Sequence, residues 1–292
     1  MRRLPYLLRR ALFASFDDGL FTIAKGAAYS ALLSFFPILA TAATIFVQVR
    51  ANFVRENVIA FLSQILPPGT EEVVLDQFRT RGPRPFTLLI LAIVLALWAA
   101  SSVIKSLIDG FNAAYRVPRN RSMLAHNGVG LMLALLSIVP LLGASSLILF
   151  GGTVEAVVLR LIKVDPILNP FAPWWEFLSR VMRYVIAFVA TSTVTAILYV
   201  YGPYRKQRWG GVWPGSILAT TLWLLGTLGF GWYVRHVTNY NVLYGSVGTS
   251  IALLIWMYLL AAIALFGCEF NAENERLLSH TQRQAKHLKS VR

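Results

Sequence analysis

The sequence predicts an all-α integral membrane protein with six transmembrane helices plus amphipathic interfacial helices, and three observations carry that prediction. Six stretches, 29–49, 86–104, 128–150, 184–201, 213–234 and 247–268, each run 18 or more residues without Asp, Glu, Lys or Arg. At ~1.5 Å rise per residue, each is long enough for a hydrocarbon core of ~30 Å. Mean hydropathy is +0.61. Only 14% of residues are charged, against roughly 25% in soluble domains. In lipid the backbone must satisfy its own polar groups, so apolar runs of this length form helices.

The elements follow in order. Residues 6–23 carry Leu8, Leu12, Phe16 and Leu20 at four-residue spacing beside Arg9 and Arg10, which predicts a helix lying in the membrane interface. The first span, 29–49, contains Pro37. Ala40-Thr41-Ala42 resembles a cleavage site, but the apolar run continues to Val49, so the span is read as uncleaved. Segment 50–85 holds two short amphipathic stretches separated by Pro67-Pro68-Gly69, the second opening with Thr70 as N-cap. After the second span, 106–115 continues as an amphipathic helix with Leu107, Ile108, Phe111 and Tyr115 on one side. Pro140 lies inside the third span. Segment 151–183 is broken by Pro166, Pro170 and Pro173, and Trp174-Trp175 suit an interfacial aromatic belt.

The fourth span carries Thr191, Ser192, Thr193 and Thr195. These hydroxyls either bond their own helix carbonyls or line a polar cavity. Gly211, Gly215 and Ala219 recur every four residues at the start of the fifth span, a spacing that lets helices approach closely. Tyr244, Gly245 and Gly248 open the sixth span and predict a hinge or a tight seam there. Residues 269–292 form a basic tail. The chain reads as one polytopic domain, 1–292, in which Cys268 has no partner for an intramolecular disulfide.

An even number of spans puts both termini on one side of the membrane. That side collects 17 of the 27 Lys and Arg residues. The positive-inside rule therefore places both termini of this multi-pass chain in the cytoplasm.

No catalytic or metal-binding constellation emerges, and no cofactor is implied. His126, His236, His280 and His287 form no ligand pattern. Glu269 and Glu273 share a helix face, but with Arg276 nearby they read as a solvated or interfacial cluster. The segment 199–209 interleaves Tyr199, Tyr201, Tyr204 and Trp209 with Arg205, Lys206 and Arg208. In a short loop between spans this pattern suits anionic lipid rather than nucleic acid.

Several motifs together resemble the YihY/virulence factor BrkB family of bacterial inner-membrane proteins. They are AKGAAYSALLSFFPIL at 24–39, SSVIKSLIDGFNAAYR at 101–116, YGPYR at 201–205, WPG at 213–215, YGSVG at 244–248, LIWMY at 254–258 and GCEFNA at 267–272. The resemblance implies six spans with cytoplasmic termini. Members have carried the label ribonuclease BN, and the family is linked to envelope biogenesis, with lipid export as the implied activity. The residues themselves do not support RNA hydrolysis, which wants a metal-binding cluster on the cytoplasmic side.

The expected function is handling or transport of a lipid or amphiphilic envelope precursor, with membrane lipids and envelope-assembly proteins as partners. The alternative is a scaffold or envelope-integrity factor that transports nothing. For a headgroup site or gate the candidates are Lys105, Asn112, Tyr115 and Arg116, packed against the 201–205 loop, with Tyr201, Arg205, Lys206 and Arg208. Interface anchoring is the competing reading of these residues. Packing and hinge candidates are Pro37, Gly211, Gly215, Tyr244, Gly245 and Gly248. Buried polar candidates are Lys25, Thr191, Thr195, Glu269 and Asn271; an acid at the depth of Glu269 needs a basic or hydroxyl partner from a neighbouring span, for which Lys25 is a candidate.

Overall fold

The fold is seen in a computed structural model that describes residues 3–49, 86–118, 121–161, 172–236 and 240–290. The expected amphipathic helices of 50–85, and Pro166 and Pro170, lie outside the described residues. Among those described there are seven α-helices and no strand: α1 Arg3–Asp17, α2 Leu20–Val49, α3 Phe86–Ala114, α4 Met123–Leu161, α5 Ala172–Tyr201, α6 Trp209–His236 and α7 Tyr240–Ser290. Six of them, α2 to α7, are long and apolar enough to cross a membrane.

The interfacial helix ends at Asp17 rather than continuing to 23. Gly19 adopts φ +67°, which costs a residue without Cβ little, and α2 begins at once with Leu20. The chain thus turns from a rim helix into the bundle within two residues. Ala11, Ala14 and Ser15 of α1 are buried, and α1 packs on α7. Leu4, Leu12, Phe13 and Phe16 are exposed, the disposition of an amphipathic helix with its apolar face offered to a membrane surface.

The six long helices close a ring in chain order. Each packs on the next, α7 returns to α2, and α3 also touches α7 across the ring. The main core lies at the end that carries α1, residues 115–118 and 121–122, and the 202–208 loop, called here the basic end. Leu20, Ile108, Phe111, Leu133, Tyr199, Val212, Leu265 and Cys268 meet there, Cys268 as a small buried apolar residue. A second cluster joins Ala28 and Leu39 of α2 to Leu253 and Met257 of α7.

Close helix approach falls on two of the three expected small residues of α6, Gly215 and Ala219, with Gly267 of α7 opposite them. A Cβ on Gly267 would stand 2.6 Å from the Tyr199 hydroxyl and 2.7 Å from the Gly215 carbonyl, so α6 and α7 touch backbone to backbone. Gly215 belongs to this seam, whereas Gly211 has nothing within 4 Å because it lies on the outer face of the first turn. Asn271 locks the crossing. Its Oδ1 accepts from Gly215 N at 2.7 Å, and its Nδ2 donates to the Val212 carbonyl at 2.9 Å. These bonds hold the turn around Pro214, where a backbone donor is missing.

Pro37 likewise sits within an unbroken α2, and its carbonyl accepts from Thr41 Oγ1 at 2.8 Å. Tyr244, Gly245 and Gly248 fall inside an uninterrupted α7, with Gly248 buried. That helix does not stop where the apolar run ends, and the expected basic tail continues it to Ser290.

Candidate functional site

At the basic end, the last turn of α3 receives the 202–208 loop. Helix α3 closes with Val117 N donating to the Asn112 carbonyl at 2.9 Å and Arg116 N to that of Ala113 at 2.9 Å. This pairing puts Arg116 in the left-handed region at φ +54°. Asn112 is 5% exposed, and its Oδ1 accepts from Tyr204 N at 2.8 Å. The Tyr204 hydroxyl and His126 Nδ1 are 2.5 Å apart, and the Arg121 guanidinium lies 4.6 Å from the Tyr204 ring centre. Arg205 sits 5.1 Å over the Tyr115 ring and pairs with Glu275. Burial pushes the Tyr115 hydroxyl far above its ordinary pKa, so it stays a neutral donor.

The eight headgroup candidates therefore divide. Asn112, Tyr115 and Arg205 meet at the loop. Lys105 turns away and donates to Asn127 Oδ1 at 3.1 Å across α3 and α4. Arg116 also points elsewhere, its Nε 3.1 Å from Asp18 in the turn between α1 and α2. That bond holds its guanidinium above the usual value. Lys206 and Arg208 are exposed, and no acid among the described residues pairs with either. Tyr201 and Trp209 are exposed beside them with ring centres 6.0 Å apart, edge to face.

The acidic pair on α7 is buried, contrary to the solvated cluster its sequence suggests. Glu269 is fully buried and Glu273 3% exposed. Arg276 Nη1 lies 3.1 Å from Glu269 Oε1 and also contacts Glu273, while its Nη2 donates to the Ala114 carbonyl at 2.6 Å. Arg10 of α1 pairs with Glu273. The partner of Glu269 is thus Arg276 and not Lys25. Ala24, Ala27 and Ala28 take the inward face of α2 and leave Lys25 exposed. Arg276 already stood beside the acidic pair in the sequence, and its seven-residue spacing to Glu269, two helical turns along one face, fits the pairing. Arg10, on a helix far away in sequence, left no such signal.

Above this sealed end lies a cavity of about 370 Å³ walled by all six long helices. Ala31, Leu107, Leu141, Val194, Trp223 and Ala261 represent the six, and Phe111 and Tyr199, perpendicular with centres 5.2 Å apart, line its basic end. Thr191, Thr195, Ser137 and Thr220 also face it. Their hydroxyls bond the carbonyls of Ala187, Thr191, Leu133 and Ser216 on their own helices at 2.7 to 3.0 Å. Both readings meet in Thr191 and Thr195, which line the cavity yet spend their donors on their own helix and leave an apolar wall. Thr193 bonds the Val189 carbonyl outside the lining, and Ser192 Oγ is buried without a partner among the described residues. Among the described residues, no group of three or more His, Cys, Asp or Glu is placed to hold a metal ion.

A family model described as Virulence factor BrkB matches residues 14–291. The ribonuclease-like protein YfkH of Bacillus subtilis is 28% identical over 84% of this chain and 86% of its own length. A UPF0761 membrane protein of Pseudoalteromonas translucida is 25% identical over 88% of this chain and 81% of its own. One from Tolumonas auensis is 24% identical over 96% and 91%. No solved structure matches the chain.

Proposed function

The chain belongs to the virulence factor BrkB family of membrane proteins, and from that premise we propose that it binds a lipid-like amphiphile in the inner membrane and moves it across or along the bilayer. The single observation that supports this reading most is the intramembrane cavity. Its volume of about 370 Å³ lies within the ~300–1,000 Å³ of small-molecule sites. An ion or sugar path would offer free polar groups to a desolvated substrate. Here the lining hydroxyls are already bonded, the Trp256 indole N–H is the buried lining donor left without a partner among the described residues, and what remains is an apolar surface suited to an acyl chain.

In this reading the basic end faces the cytoplasm, which the excess of Lys and Arg on that side supports. Arg205, Lys206 and Arg208 then lie at the level of anionic headgroups while the tail enters the bundle. Phe111 and Tyr199 close the cavity towards that face.

Purification in mild detergent followed by lipid mass spectrometry tests the proposal. Wild-type protein retains an acyl-bearing lipid at a defined stoichiometry, and Ala261→Phe, which fills the cavity, loses it while remaining folded. Equal lipid content in the two proteins would favour a scaffold that merely sits in the bilayer.

A further inference from the structure

The 202–208 loop and the residues beneath it hold more donors than acceptors. Asn112 Oδ1 is occupied by the Tyr204 N–H at 2.8 Å, which fixes the orientation of the amide. Asn112 Nδ2 is then a donor in a residue only 5% exposed, with no hydrogen-bond partner among the described residues. Gln207 Nε2 is buried and equally unpartnered. Arg121 reaches the Gly202 carbonyl only at 3.5 Å, the weak limit of such a bond. Lys206 and Arg208 carry charges without an acid beside them among the described residues. Glu275, the acid that reaches this loop, is engaged by Arg205.

A buried donor without a partner is costly and calls for an explanation, an ion or water being the usual ones. One such amide lies under the loop, bonded to Tyr204 N, and the other lies within the loop next to Lys206 and Arg208 in sequence, a set of donors that suits a negatively charged group rich in acceptors. We propose that the loop, with Asn112 and Arg121 beneath it, is a binding site for a phosphate-type anion. A phosphate brings several charged acceptor oxygens, enough to serve amide and guanidinium donors together. Two sources share this chemistry, the headgroup of an anionic phospholipid and a free phosphate. The headgroup is the favoured occupant, and this choice rests on the lipid-handling reading above.

The test uses the full chain in nanodiscs and native mass spectrometry, with phosphatidylglycerol and phosphatidylcholine as probes and inorganic phosphate as competitor. Wild-type protein should prefer phosphatidylglycerol by about tenfold, the worth of one charge-assisted bond. Asn112→Asp keeps the acceptor for Tyr204 N but turns the free donor into an acceptor, and it should abolish the preference. The double variant Lys206→Gln, Arg208→Gln changes only exposed side chains and should lower it severalfold, which keeps the test alive if Asn112→Asp fails to fold. Displacement of phosphatidylglycerol by inorganic phosphate supports the headgroup. Stabilisation by phosphate over chloride at equal ionic strength, without lipid preference, supports the same site with a soluble occupant. If all variants keep the wild-type preference, or if neither a lipid preference nor stabilisation by phosphate over chloride is seen, the donors are served by water and the proposal fails. Ala261→Phe separates the two ideas, because it removes acyl retention and leaves phosphate stabilisation intact.

Discussion

Replacing Gly267 by Ala should damage this fold far more than a single methyl group suggests, and replacing Gly211 by Ala should not. The added carbon at 267 would stand 2.6 Å from the Tyr199 hydroxyl, 2.7 Å from Ala219 Cβ and 2.7 Å from the Gly215 carbonyl. Two of these neighbours are rigid, and Tyr199 is held by its bond to the Ala264 carbonyl at 2.5 Å. Helices α6 and α7 must therefore separate, which also stretches the Asn271 bonds to Gly215 and Val212. Overpacking of this kind costs about 1–3 kcal/mol. Gly211 has no neighbour within 4 Å, so alanine there gains helix propensity, up to about 1 kcal/mol. The two substitutions thus have opposite signs. Thermal unfolding followed by size-exclusion chromatography, or titration with a denaturing detergent, measures both. Equal stability of the two variants would refute the backbone seam and the arrangement of α6 against α7.

Three further outcomes follow from the same geometry. Arg276→Ala strands Glu269 in the interior, leaves Glu273 to Arg10 alone, and should cost about 3–5 kcal/mol. Arg205→Ala, whose ion pair with Glu275 is largely exposed, should cost under about 1 kcal/mol; comparable losses in the same unfolding assay would contradict the buried network. Arg116→Gly should be more stable than Arg116→Ala by roughly 1 kcal/mol, because both lose the Asp18 pair but only glycine relaxes the positive φ. Reporter fusions after Gln207 and Arg292 should report the cytoplasm and one after Asn239 the periplasm; a periplasmic signal at Arg292 would overturn the orientation.

The spans were legible because lipid imposes one rule on the backbone, and long uncharged runs obey it wherever they occur. Asn112 and Tyr115 were legible as loop partners because they lie in the last turn of α3 and just beyond it, on the side that continues its apolar stripe. What escaped the sequence depends on which face a helix turns inward. Lys25 looked like a partner for Glu269 until Ala24, Ala27 and Ala28 claimed the inner face of α2. Gly267 was overlooked beside the better spaced Gly211 and Gly215, since a backbone contact needs only one small residue per helix at the crossing point. The end of α1 at Asp17 hung on a single left-handed residue, Gly19, and a glycine near the end of an amphipathic run does not announce whether it stops the helix. The length of α7 was hidden because polarity, which ends an apolar span, does not end a helix.

The central claim is that an acyl chain occupies the space between the six long helices, and photo-crosslinking tests it most directly. A phospholipid carrying a diazirine near its acyl terminus is incorporated with the full chain, irradiated, and the modified peptides are mapped by mass spectrometry. The account predicts crosslinks to cavity residues such as Val194, Leu260 and Ala261, reduced in Ala261→Phe. Crosslinks confined to outward residues such as Val139, Leu225 and Leu228, unchanged in that variant, would contradict it.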